Sequence, residues 1–78
     1  MEIKEQILAI LKEVKPTKNL QNVTDIIEGG YIDSFELMAL ISNLNVKFGV
    51  EITVEDLIPE NFNSVGAIAE LVERLKSR

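Results

Sequence analysis

Apolar residues recur along this chain at helical rather than strand spacing. Between residues 2 and 14, Ile3, Ile7, Leu8, Ile10, Leu11 and Val14 share one face, with Glu and Lys on the other. That period predicts an amphipathic helix, stopped before Pro16. From about Ser34 to Phe48, Leu37, Ile41, Leu44 and Phe48 stand at i, i+4, i+7 and i+11, flanked by Leu40. This is one buried stripe of a second helix, and Gly49 suits its C-cap. Thr53-x-x-Asp56 has capping-box spacing and predicts a short helical turn ending before Pro59. Ser64 or Asn63 caps a last helix whose apolar stripe is Val65, Ile68, Ala69, Val72 and Leu75. Arg74, Lys76 and Arg78 fall near its C-terminus, where the helix dipole favours cations. The sole strand-like run, VEITV at 50–54, has no second strand to pair with. Residues 15–32 have no period and are long for a connection, but Leu20, Val23, Ile26 and Ile27 offer anchors, and Gly29-Gly30 close the segment. The pattern predicts an all-α fold, a small four-helix bundle of three longer helices and one short helix.

Composition narrows the chemistry. A length of 78 residues leaves room for one core, so residues 1–78 are expected to form one domain. The chain has no Cys and no His. Disulfides, thiol chemistry, Ser-His or Cys-His nucleophile pairs, and zinc sites built on Cys or His are therefore excluded. Catalysis would rest on carboxylates such as Asp33 and Glu36, with nothing apolar around them to raise a pKa, so no enzymatic role is expected. An all-carboxylate calcium or magnesium site stays open at this point. The apolar run Ile7–Leu11 is too short for a signal-peptide core or a membrane span, so a cytoplasmic protein is expected, with no membrane insertion.

The net charge of −5 is unevenly spread: residues 1–24 sum to +1, residues 25–60 to −7 and residues 61–78 to +1. An acidic middle disfavours nucleic acid as a partner. It suits either a basic protein surface or a merely solubilising face. Eight like charges in that stretch would repel one another, so salt or divalent cations are expected to stabilise the fold.

Ser34 lies where the second helix begins. With Asp33 as N-cap, Asp33-x-x-Glu36 forms a capping box, and Ser34 falls at the first helical position with its hydroxyl uncommitted near the positive end of the dipole. With Ser34 itself as N-cap, the hydroxyl is consumed by the backbone and Asp33 merely precedes it. Spacing alone favours the second arrangement and leaves the first open.

Gly30-Tyr31-Ile32-Asp33-Ser34-Phe35-Glu36-Leu37 resembles the attachment motif of acyl carrier proteins, whose core is Asp-Ser followed by an apolar residue. The apolar pattern of the second helix, FGVEI after it and FNSVGAIAELVERL near the end extend the resemblance over almost the whole chain. The resemblance implies a bundle of the acyl-carrier type and a phosphopantetheine arm on Ser34, moved there from coenzyme A by a separate phosphopantetheinyl transferase. It also implies a thiol-ended arm that presents acyl or aminoacyl groups as thioesters to acyl-loading and acyl-using enzymes. The missing base and the missing thiol would then come from the transferase and the arm. Asp33 would help orient the transferase, and Phe35, Met38 and Ser42 would lie beside the arm. Glu36, Met38, Ser42, Glu55 and Asp56 would face partners, and the carrier would act as a monomer.

The sequence also departs from the family pattern. Between Glu36 and Glu51 there is no acid. Ala39, Asn45 and Val46 stand where acids are common in carriers of fatty-acid synthesis, and Phe35 stands where Leu or Met is commoner. The departure suggests a pathway-specific carrier whose partners read apolar surface more than charge. D-alanyl or peptidyl carriers are the alternative within the class, and an unmodified helical interaction module is the alternative outside it.

Overall fold

A computed structural model describes residues 2–77. Its helices are α1 (Ile3–Val14), α2 (Ser34–Phe48), α3 (Pro59–Phe62) and α4 (Val65–Lys76), with a 3-10 turn at Val54–Asp56 between α2 and α3. Among the described residues no strand forms. Arg78, expected near the last helix C-terminus, lies outside them. Among the described residues no helix is long and apolar enough to cross a membrane.

Local chemistry sets each boundary. Lys15 closes α1 with φ −136° and ψ 74°. A proline ring clashes with a helical residue in front of it, which accounts for the stop before Pro16. Gly49 ends α2 in the left-handed region at φ 64°, where its N–H donates to the Asn45 carbonyl; a side chain there would be strained. Ser64 caps α4, its hydroxyl accepting from Ala67 N–H at 3.0 Å.

The expected short helix divides in two. Thr53 and Asp56 do form a capping box, but around the 3-10 turn, and Pro59 then opens a separate one-turn helix. Proline at the first position of a helix loses no hydrogen bond and presets φ, so it starts α3 instead of only ending what precedes it. Of VEITV, residues 50–53 stay irregular, with Ile52 N–H held by the Asn45 side-chain oxygen at 2.9 Å, and Val54 enters the 3-10 turn.

The core draws on every segment. α1 packs on α2 and α4, and α3 packs on α4. Ile7, Leu11, Leu20, Ile26, Leu40, Leu44, Phe62, Ile68, Leu71 and Val72 are almost fully buried. Leu20 and Ile26 pin the long connection, with Val23 and Ile27 packed partly against the core, so the segment lies down on the bundle. In α2 the stripe is rotated from the expected one: Leu40, Ile41 and Leu44 are buried, whereas Leu37 and Phe48 are only partly so. The connection, through Ile27, and the segment from Leu57 into α3 leave a cleft over Leu37, in keeping with its partial exposure.

Candidate functional site

The first turn of α2 settles the capping question. Asp33 is the N-cap, with φ −95° and ψ −174°. Its carboxylate accepts from Glu36 N–H at 2.8 Å, and the Glu36 carboxylate accepts from Asp33 N–H at 2.9 Å. This reciprocal box satisfies two backbone donors that would otherwise face water. Ser34 therefore occupies the first helical position, exposed, and its hydroxyl has no protein partner among the described residues. The arrangement that spacing alone favoured, Ser34 as N-cap, is not the one adopted. The reason is the stronger pair of bonds that Asp33 forms with a Glu three residues on.

A side chain outside the motif fastens this turn. Lys15, just past the end of α1, reaches Glu36 with Nζ 3.1 Å from Oε2 and 3.4 Å from Oε1. Glu36 thus bridges the Asp33 backbone and α1, so its carboxylate is already spent within the molecule. Both partners keep only about a quarter of their side-chain exposure, at 27% and 23%. The pair is therefore screened less than a surface ion pair.

The exposed face of α2 continues from Ser34. Phe35 is 88% exposed and Met38 60% exposed. Ser42 is also exposed, two turns on, and Val46 lies a turn further at 84% exposure. Ser34, Met38, Ser42 and Val46 recur every four residues and so share one face. After Glu36 the only charge on α2 is Lys47. Beside Leu37, a cleft of about 110 Å³ is lined by Ile27, Leu57, Ile58, Pro59 and Phe62. It is small beside ordinary ligand pockets of about 300–1,000 Å³.

The acidic residues expected to face partners do not form one patch. Glu55 is exposed on the 3-10 turn. Asp56 is buried at 7% exposure, and its carboxylate accepts from Thr53 N–H at 3.0 Å and from the Thr53 hydroxyl at 3.2 Å. Asp56 thus caps the 3-10 turn, and its carboxylate faces Thr53 where the resemblance implied that it faces partners. Among the described residues no group of three or more acids is placed to hold a metal ion. Tyr31 packs partly against the core.

The residues fit a prosthetic group attached through Ser34. The hydroxyl is open to solvent, it is not used by the fold, and it adjoins first-turn N–H groups that helix geometry leaves without intrahelical acceptors. A family model described as the phosphopantetheine attachment site (PP-binding) matches residues 2–72. The chain belongs to that family. The PP-binding domain is the site of covalently attached phosphopantetheine. Domains of the family are in general carriers and not catalysts, and they work with modifying and acyl-handling enzymes. Within this PP-binding chain, Lys15, Asn45, Asn63 and Asn61, whose side-chain amide donates to the Asp56 carbonyl at 2.8 Å, are structural contributors that periodicity does not flag. In the sequence Asn63 had surfaced as one of two alternative caps and Asn45 only as a departure from the family's acids.

Proposed function

We propose that this chain carries acyl or aminoacyl groups as thioesters on a phosphopantetheine arm attached to Ser34. The observation that carries the reading is the uncommitted Ser34 hydroxyl, exposed at the first position of α2 because Asp33 and Glu36 cap each other. In the attachment step, Ser34 Oγ forms a bond to the phosphorus that bears pantetheine in coenzyme A. The pyrophosphate P–O bond breaks, adenosine bisphosphate leaves, and the hydroxyl proton passes to a base of the transferase. The arm, once bound, supplies the thiol that the chain lacks.

This chain's own residues hold the reacting oxygen in place. Asp33 and Glu36 fix the turn, Lys15 ties it to α1, and Leu40, Ile41 and Leu44 anchor the helix beneath. Phe35, Met38 and Ser42 form the surface that partners meet around the arm, with Glu55 at its margin. Because that surface is nearly uncharged, association relies on apolar burial and depends weakly on salt. This supports a specialised carrier in a fatty-acid, polyketide or related pathway, with a D-alanyl or peptidyl carrier as the alternative cargo class. The small cleft by Leu37 favours cargo held mainly outside the bundle. The reading takes residues 1–78 as one carrier domain, acting as a cytoplasmic monomer.

The test is intact-mass analysis after incubation with coenzyme A and a broad-specificity phosphopantetheinyl transferase. Wild type is expected to gain one phosphopantetheine and Ser34→Ala none. No gain in wild type, or an equal gain in the variant, overturns the reading.

A further inference from the structure

The segment that delivers Ser34 is held by a residue far along the chain from it. Residues 26–31 form a bonded turn: Gly29 N–H donates to the Asp25 carbonyl at 2.6 Å, Gly30 N–H to Ile27 at 3.1 Å, and Tyr31 N–H to Ile26 at 3.0 Å. Like a helix start, such a turn leaves its first amides without local acceptors. Asn63 supplies them. Its side-chain oxygen accepts from Ile27 N–H at 3.0 Å and Glu28 N–H at 3.2 Å, and its side-chain amide donates to the Glu28 carboxylate at 2.8 Å. Its backbone carbonyl accepts from Ile26 N–H at 2.9 Å. Four hydrogen bonds from one residue thus cap a turn 35–37 positions earlier in the chain.

Asn63 is itself well fixed. Phe62 before it is 1% exposed, and Ser64 after it caps α4. The turn it caps leads within three residues to Ile32, buried at 7%, then to Asp33 and Ser34. A rigid path therefore runs from the α3–α4 junction to the attachment oxygen. Glu36 and Lys15 hold the helix side of that oxygen, and Asn63 holds the loop side.

We propose that Asn63 is a positioning residue for modification of Ser34, acting through the turn at 26–31; the proposal rests on the reading of Ser34 as the attachment residue. Asn63 makes these hydrogen bonds to residues 26–28 and none to Ser34 or to α2 among the described residues. Its loss therefore displaces the oxygen and spares the surface on which a transferase docks. The effect belongs in kcat and not in the KM for the carrier. Geometry errors of about 1 Å at a reacting atom cost up to about a hundredfold in rate, so a loss of roughly tenfold is expected from a turn loosened at one end.

The experiment measures transferase kinetics with coenzyme A on wild type, Asn63→Ala and Asn63→Asp, at a temperature where circular dichroism shows each folded. Asn63→Ala is expected to lower kcat roughly tenfold, with KM for the carrier within about twofold. Asn63→Asp, made together with Glu28→Gln so that no second carboxylate faces it, keeps the acceptor for Ile27 and residue-28 N–H and is expected to stay close to wild type. Wild-type kcat in Asn63→Ala, or an equal fall in both variants, overturns the proposal. If Asn63→Ala does not fold, Asn63→Gln takes its place: it keeps both polar groups but shifts them by one methylene, and an undiminished kcat there has the same force. Failure of wild type to be modified at all strikes the reading of Ser34 and is seen separately.

Discussion

Removing the Asp33 carboxylate exposes the competition between Asp33 and Ser34 for the helix start. In Asp33→Ala, Glu36 N–H loses its acceptor at 2.8 Å. Loss of an N-cap side chain costs about 1 kcal/mol, within a range of roughly 0.5–2. Ser34 can recover part of that cost. If the helix restarts one residue later, Ser34 becomes the N-cap, and its hydroxyl accepts from Leu37 N–H, which otherwise donates to the Asp33 carbonyl at 2.9 Å. Ser34→Ala alone removes an exposed hydroxyl that bonds nothing, so its effect is within about 0.5 kcal/mol. In the Asp33→Ala background the same change removes the replacement cap and costs about 1 kcal/mol. The two substitutions are therefore non-additive, with a coupling of about 0.5–1 kcal/mol that destabilises the double variant. In a domain of this size 1 kcal/mol moves the thermal midpoint by about 4–8 °C, well within reach of calorimetry. Asp33→Asn preserves the cap and is expected to leave the midpoint near wild type. Strict additivity across the cycle would refute the argument that Asp33 capping is what leaves Ser34 uncommitted.

Three further outcomes follow from the geometry. Gly29→Ala places a Cβ 2.6 Å from the Asp25 carbonyl oxygen, and such overpacking costs about 1–3 kcal/mol by chemical denaturation; wild-type stability would show that the turn relaxes freely. Phe35→Ala, at a side chain 88% exposed, is expected to leave stability within about 0.5 kcal/mol while lowering kcat/KM for modification at least about tenfold if the ring is a buried anchor in the complex. Unchanged kinetics would remove Phe35 from the docking surface. Magnesium at matched ionic strength is expected to leave the melting midpoint unchanged, since no three acids among the described residues are placed to share a cation; a saturable rise at millimolar magnesium would contradict this. An unchanged midpoint would overturn the expectation of divalent stabilisation drawn from charge counting, which ignores where the acids lie. Salt screening of the acidic middle still applies.

The helices were legible because their signals are local. Pro16 and Gly49 mark ends by backbone sterics, and the apolar periods of α1 and α4 match the buried faces observed. The break between the 3-10 turn and α3 was not legible, because proline signals both an end and a beginning. At the site, Asp33, Ser34 and Glu36 could be singled out by spacing, but which residue caps could not. The choice turns on a side chain reaching back to a backbone N–H, with Lys15 holding it from α1. Asp56 carried two readings in the sequence, a cap for the turn and a partner-facing acid; its burial was not legible, because only the fold shows the carboxylate turned back onto Thr53. Asn63 and Lys15 act across gaps of 35 and 21 residues, and nothing in one sequence relates positions so far apart.

The central claim is that one hydroxyl, Ser34 Oγ, carries the arm. Fragment-ion mass spectrometry of the modified protein tests it most directly, because the chain offers other hydroxyls at Thr17, Thr24, Tyr31, Ser42, Thr53, Ser64 and Ser77. The expected result is a single phosphopantetheine on the fragment that ends at Ser34, absent from every fragment lacking that residue. A phosphopantetheine mapped to any other hydroxyl, or none on the protein after exhaustive treatment, would contradict the account.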